Sequence, residues 1–423
     1  MRFFPYLLRW TPPVTALALC VFACSDGTVE TTDDDADAAD RPALDGGHDA
    51  SRSEEDAGVV DASPDAANEV DAAPARPCTD EGWCHIPVPG RQTLNAVWGD
   101  GQGTAWAASL EGQILRWDGA AWTRSYYLPV SSGAPALHSI WGSGPTDIWV
   151  GGDRHLLHGT GASPETLTWS KVELPSPVKV TADKQVVHSI WGAGASTIWA
   201  VAGGRSRESG SPAADLLRYV PPQGGTAGRW EIDSSFNPPS GFSFYKVFGT
   251  GPDDVWAAGV RSNRLHVFRR SSEADGTTTW VQYDDATARV CTHSQANSGT
   301  AFAIAPSTFY LFGSNVAYCS IAPSGEDDGT ITWKNELFPS REIATGAQRG
   351  RWAKTNGGWA AAPDDVWVVG DVGRIYHWDG SAWRAAGTAL SYPVVENLNG
   401  IWGSSPNDIW VVGQGISLHK GTP

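Results

Sequence analysis

From Asn95 to His419 one pattern of apolar and polar positions keeps returning. A mixed segment ends on an aromatic residue, a polar run rich in Gly, Pro and Asp follows, and a second aromatic appears eight positions after the first. That second aromatic sits in a segment apolar on both faces, such as Ile148-Trp149-Val150-Gly151-Gly152, and a small residue follows it by three positions. The copies align on Trp98/Trp106/Ser109, Trp141/Trp149/Gly152, Trp191/Trp199/Ala202, Phe248/Trp256/Gly259, Phe302/Tyr310/Gly313, Trp359/Trp367/Gly370 and Trp402/Trp410/Gly413. Segments this short and apolar on both sides predict strands covered by a neighbouring sheet on each face. Repetition with a period of tens of residues predicts an array of like units.

Each copy reads as four strands. The first runs into the leading aromatic, as in Leu137-His138-Ser139-Ile140-Trp141, and the Gly/Pro/Asp run from Gly142 to Asp147 reverses it. The second is the apolar segment. A third, such as Arg374-Ile375-Tyr376-His377-Trp378, leads through Asp379-Gly380 into a fourth, Ser381-Ala382-Trp383-Arg384. Asp-Gly between apolar runs is a strong hairpin signal. Seven such meanders, each unable to bury a face alone, predict an all-β fold: a single seven-bladed β-propeller of four-stranded antiparallel blades. Six blades, with the Phe302/Tyr310 copy miscounted, or an open solenoid are the alternatives. The last copy has three strands, ending at Ser417-Leu418-His419, while Glu81 to Ile86 precedes the first copy as an orphan fourth strand. Pairing the two would close the ring with an N-terminal strand. The small residue after the second strand fits a close approach of sheets near the axis.

Composition changes the picture only at the N-terminus. Twenty-two Trp, 48 Gly and a single Met suit short strands and tight turns. Residues 25–77 are low in complexity and carry a net charge of −13, against −6 for residues 78–423. The acidic segment holds too little apolar surface to offset chain entropy, so a disordered, self-repelling tether is expected there. Neither part has the basic footprint of a protein that binds nucleic acid or an anionic membrane surface. Residues 1–24 read as an export signal, with Arg2 and Arg9 ahead of an apolar run from Val14 to Ala23 that is too short to span a bilayer. Cys78, Cys84, Cys291 and Cys319 in an exported chain suggest two disulfides with three pairings open; repeat geometry favours the local pairs Cys78–Cys84 and Cys291–Cys319.

Several stretches resemble known families. Val21-Phe22-Ala23-Cys24 resembles the lipobox of bacterial lipoproteins, although Phe22 is bulkier than usual, and the likeness implies acylation of Cys24. Trp141-Gly142-Ser143-Gly144-Pro145-Thr146-Asp147-Ile148-Trp149 and His377-Trp378-Asp379-Gly380-Ser381-Ala382-Trp383 resemble Trp-rich propeller repeats of large exported lipoproteins of myxobacteria-like Gram-negative bacteria, over residues 79–423. That resemblance implies an outer-membrane lipoprotein facing the periplasm or the cell surface. Gly119-Ala120-Ala121-Trp122 and Glu111 to Arg116 are similar to tectonin-type lectin propellers. Asp275 to Trp280 and Asp328 to Trp333 look like Asp-box turns of sialidase-like propellers, with a Gly-to-Trp spacing one residue too long, so this likeness concerns fold rather than activity.

Candidate chemistry is sparse. Three residues before each leading aromatic stand Asn95, His138, His188, Tyr245, Gly299, Asn356 and Asn399, a polar collar at one level of the central channel that is a candidate ligand site. Arg116, His158, Arg218, His377 and His419 recur on the third strand and read as strand-surface residues. The connections from fourth to first strands are the longest and gather on one face. Tyr126, Tyr127, Phe242, Phe244, Arg341, Arg349 and Arg351 fall in or near them and are candidates for a binding surface. No nucleophile elbow, phosphate loop, HExxH or paired CxxC occurs, so no catalytic residue, metal or cofactor is assigned. The reading is a monomeric, non-catalytic, lipid-anchored binding or scaffold propeller for a protein or glycan of the cell envelope. The alternatives are a lectin proper and a glycan-acting hydrolase or lyase.

Overall fold

A computed structural model describes residues 77–128, 135–175, 185–204, 214–238, 242–261, 264–272, 275, 277–283, 300–306, 308–312, 317–323, 331–337 and 354–421. The expected signal segment, Cys24, the acidic tether up to residue 76, Cys291, Gly299, Arg341, Arg349 and Arg351 lie outside them, as does the side chain of Cys319.

The described strands form seven four-stranded antiparallel sheets, numbered here as blades in chain order. Blade 1 is Leu94–Gly99, Ala105–Ser109, Gln113–Trp117 and Trp122–Tyr127. Blade 2 is Leu137–Gly144, Asp147–Gly152, His155–Thr160 and Thr168–Lys171. Blade 3 is Gln185–Gly192, Ile198–Gly204, Asp215–Val220 and Arg229–Ile232. Blade 4 is Ser243–Gly251, Asp254–Arg261, Arg264–Ser272 and Thr278–Tyr283. Blade 5 is Thr300–Ala305, Thr308–Phe312, Ala317–Pro323 and Ile331–Leu337. Blade 6 is Thr355–Ala362, Asp365–Gly370, Ile375–Trp378 and Trp383–Ala385. Blade 7 is Leu398–Ser405, Asp408–Gly413 and Ser417–Gly421, completed by Trp83–Ile86. The first strand of each blade packs on that of the next, and blade 7 returns to blade 1, so the fold is a closed β-propeller.

Closure follows the register Trp83↔Lys420, Cys84↔His419, His85↔Leu418, Ile86↔Ser417. A Cys78–Cys84 disulfide folds the chain ahead of the closing strand back onto it, and the backbone N–H groups of His85 and Thr79 donate to Pro77 and Trp83.

Apolar alternation within the second strand is explained by what each face meets. Ile148 and Val150 join a cluster with Trp106 and Ile114 of blade 1, while Trp149 joins one with Ile190, Ile198 and Trp230 of blade 3. In blade 7, Ile409 and Val411 face blade 6, and Trp410 and Val412 face blade 1. The core is thus a set of boundary clusters rather than one centre. The paired aromatics sit directly opposite each other across strands, as at Trp98↔Trp106, Trp141↔Trp149 and Trp402↔Trp410.

Two details differ from expectation. The first strand of blade 2 continues to Gly144, so the reversal is confined to Pro145-Thr146 instead of occupying Gly142 to Asp147. The small residue after the second strand is crowded by its own blade, not by the axis. A Cβ on Gly152, Gly370 or Gly413 would lie 2.4, 2.2 or 2.1 Å from the carbonyl oxygen of Ala136, Lys354 or Asn397.

Candidate functional site

Four blades open their second strand with an aspartate, Asp147, Asp254, Asp365 or Asp408, placed two residues before its tryptophan. The tryptophan's cross-strand partner on the third strand is His158, Arg269, His377 or His419. Opposed side chains share one face of the sheet, so the ring or guanidinium comes to lie on the indole. His158 stacks on Trp149 with centroids 3.7 Å apart, His377 on Trp367 at 4.0 Å and His419 on Trp410 at 4.1 Å. Each imidazole donates its Nε2–H to the aspartate Oδ1, at 2.5, 2.7 and 2.8 Å. In blade 4, Arg269 lies 5.3 Å from the Trp256 ring centroid and 3.6 Å from the Asp254 carboxylate. The remaining carboxylate oxygen accepts from Ser143 at Asp147, from Thr250 at Asp254 (2.7 Å) and from Ser404 at Asp408 (2.5 Å).

These sets contain Ser, His and Asp, yet their bonding order is wrong for a nucleophile. A hydrolytic triad needs the imidazole between hydroxyl and carboxylate, so that it can take the hydroxyl proton. Here the carboxylate lies between the two, and the imidazole is covered by the indole. Burial pushes Asp147 and Asp408 upward. Hydrogen bonds from His158 and Ser143, and from His419 and Ser404, together with the charge of the imidazole, outweigh it and hold both below the usual carboxylate value. The sets lock the second strand to the third. Of the other third-strand residues, Arg116 pairs with Glu165 at 3.1 Å and Arg218 with Glu231 at 3.6 Å.

The collar positions coincide with breaks in strand register. Pairing of the first two strands shifts at Asn95, His138, His188, Tyr245, Asn356 and Asn399, each a bulged residue. The asparagine amides are spent on the next blade. Asn95 donates to the Leu137 carbonyl (2.8 Å), Asn356 to that of Leu398 (2.9 Å) and Asn399 to that of Leu94 (3.0 Å). His138 Nε2 is 3.0 Å from Asp153, and Tyr245 is buried in the boundary between blades 4 and 5. Through its asparagines the collar joins neighbouring blades. Among the described residues, no three His, Cys, Asp or Glu side chains group as metal ligands do.

The loop candidates separate. Phe242 and Phe244 are buried, which corrects their assignment to an exposed binding surface. The connection after blade 3 tucks Phe236 inward through a turn on Asp233, and Phe236, Phe242, Phe244 and Phe268 pack with centroids 4.7–5.7 Å apart. Tyr126 and Tyr127 end the fourth strand of blade 1, at the start of its connection to blade 2. Tyr126 leans on Trp169, whereas Tyr127 is exposed. On the connection from blade 6 to blade 7, Leu390, Tyr392 and Val395 are exposed, Tyr392 to 84 %. They have no counterpart among the predicted site residues; the run Leu390-Ser391-Tyr392-Pro393-Val394-Val395 between two blades was the available signal.

A cleft of about 340 Å³ opens at the boundary of blades 2 and 3, lined by Asp147, Trp149, His158, Ala195, Ser196, Tyr219, Pro221 and Pro222. Its lining joins the start of the second strand and the later part of the third in blade 2 with the end of the third strand of blade 3 and the turns between the first and second and between the third and fourth strands of that blade. It therefore lies on the face opposite the long connections.

No protein-family profile matches the chain, and no curated protein matches it by sequence. Its backbone is similar to solved propellers. YCF48 bound to a D1 peptide aligns over 82 % of this chain and all of that one, with TM-score 0.58 and 16 % identity. The extracellular domain of the putative hybrid two component system BT4673 from B. thetaiotaomicron aligns over 80 % of this chain and 39 % of that one, with TM-score 0.53 and 14 % identity. The RRP9 WD40 repeats align over 82 % and 99 %, with TM-score 0.53 and 8 % identity. The shared feature is the propeller fold.

Proposed function

We propose that the protein is a non-catalytic binding propeller, held at the cell envelope by acylated Cys24, that engages a protein partner through the face bearing its long connections. The observation that carries the reading is the exposed apolar run of Leu390, Tyr392 and Val395 on that face, which Leu110 and Tyr127 of blade 1 also reach. Exposed aromatic and aliphatic side chains on a rigid scaffold are what protein-binding surfaces favour. A propeller of similar backbone is known with a peptide bound, which lends support. The bonding order of the His–Asp–Ser sets favours a structural over a hydrolytic role. A lectin reading gains less, because the rings between blades, such as Trp410 against Trp117 and Trp122, are packed and buried. The Cys78–Cys84 disulfide suits an oxidising compartment.

Cross-linking on intact producing cells tests this. The full chain is expected to capture an envelope protein, with yield falling about tenfold in Tyr392→Ser, roughly the 1.4 kcal/mol of a modest hot spot, while the melting temperature is unchanged. Cys24→Ala is expected to release the protein from the membrane pellet. Undiminished capture by Tyr392→Ser, or pelleting without Cys24, contradicts the respective half of the proposal.

A further inference from the structure

The cleft between blades 2 and 3 stands out because the equivalent place at three other boundaries holds a cation or an indole of the chain itself. At four boundaries, the residue following the third-strand partner of a blade's tryptophan meets the second-strand tryptophan of the preceding blade. Between blades 6 and 7 this residue is Lys420, whose Nζ lies 5.9 Å from the centroid of the Trp367 ring. Between blades 3 and 4 it is Arg270, with its guanidinium 5.7 Å from the Trp199 centroid. Between blades 7 and 1 it is Trp117, 5.3 Å from Trp410. Two boundaries thus carry a cation of the chain's own over an indole. Between blades 2 and 3 the position is Tyr219, whose ring stands 5.1 Å from Trp149 at 60° and leaves space beside it.

That space combines three features that suit an organic cation. The Asp147 carboxylate is a quarter exposed and is held ionised by its partners. Tyr219 offers aromatic surface, which attracts ammonium and guanidinium groups, while Trp149 lies buried behind it with one face covered by His158. Ala195, Pro221 and Pro222 form an apolar wall for an aliphatic stem; among the described residues His158, paired with Asp147, is the basic group in the lining, and no lysine or arginine is there to compete. The volume is at the small end of ligand pockets.

We infer that this cleft binds the cationic end of a lysine- or arginine-like ligand, supplying from outside the group that Lys420 and Arg270 supply from within at other boundaries. A basic side chain of a protein partner and a free diamine share this chemistry. The inference rests on the reading of the protein as a binding propeller, but uses the opposite face.

Saturation-transfer NMR on the full chain tests it, with Nα-acetyl-lysine methylamide, Nα-acetyl-arginine methylamide and putrescine as probes and Nα-acetyl-norleucine methylamide and methyl glycosides as controls. A cationic probe is expected to bind with a dissociation constant below about 10 mM, and the norleucine derivative at least tenfold more weakly. Preference for the two acetylated amino acids points to a protein side chain as source, and preference for putrescine to a free amine. Tyr219→Lys, which places an internal cation where blade 7 has one, is expected to abolish binding. Asp147→Asn is expected to weaken it at least tenfold and serves as the second variant. Equal binding of norleucine, selective binding of glycosides, undiminished binding by Tyr219→Lys, or no binding overturns the inference. If cross-linking through Tyr392 survives that outcome, the cleft's role fails while the binding reading stands.

Discussion

Asp147 and Asp408 show how the same residue types can mean chemistry or architecture. What decides is bonding order, and in both sets the carboxylate takes the central place, accepting from a histidine on one side and a serine on the other. Their folded pKa values lie below the usual one. A carboxyl depressed in the folded state contributes stability that is present above its unfolded value near pH 4 and is lost as pH falls through the lower folded value. The double variant Asp147→Asn/Asp408→Asn is expected to melt below the parent at about pH 7. The gap should narrow as pH falls below about 4, where carboxyls of the unfolded chain take up protons, and close once the lower folded values are passed. A gap independent of pH in a thermal melt series would rule out this ionic contribution. The histidines, aspartates and their periodic recurrence are visible in the sequence. Their stacking is not, because it depends on which residues of strands two and three fall opposite each other.

At the scale of strands and blades, the Trp-Gly dipeptide has a physical reason that spacing alone does not disclose. In five blades a glycine follows the leading aromatic, and the leading aromatic of the preceding blade lies over it. A Cβ at Gly142 would come within 2.8 Å of the Trp98 ring, one at Gly192 within 2.7 Å of Trp141, and one at Gly249 within 2.8 Å of Trp191. Gly249 is the most confined, since the same Cβ would also stand 2.1 Å from the Asp254 carbonyl oxygen. Gly249→Ala is therefore expected to cost about 1–3 kcal/mol, as overpacking of a tight site does, measured by urea denaturation. A change under about 0.5 kcal/mol, the size of an ordinary surface substitution, would show that the rings yield freely. Strand order, the Asp-Gly hairpins and the both-sided apolar strands were legible because each is a local pattern of period two or a turn dipeptide. The bulges at Asn95, Asn356 and Asn399 were not, since the extra residue is identified only by its partner strand. Phe242 and Phe244 misled for a related reason: sequence places them beside a long connection, and only their packing with Phe236 and Phe268 shows that they face inward.

At the scale of the whole molecule, the ring depends on a segment more than 300 residues from its partner. Trp83 stands edge-on to Trp367 of blade 6, with centroids 5.6 Å apart, so the closing strand seals the boundary between blades 6 and 7 as well as completing a sheet. The seam with blade 1 is then held by Asn399 on the Leu94 carbonyl and by the Trp122 indole donating to Ser417. The parity of strands in the repeat made this closure readable. The cleft between blades 2 and 3 was not readable, because its lining joins residues of two repeats through register. Native-state hydrogen exchange on the full chain tests the closure most directly. Amides of residues 83–86 are expected to exchange as slowly as those of 417–421 and 408–413 and to open together with them, as one cooperative unit does. Exchange of residues 83–86 at the rate of free coil, with 408–413 still protected, would contradict a ring closed by its N-terminal strand.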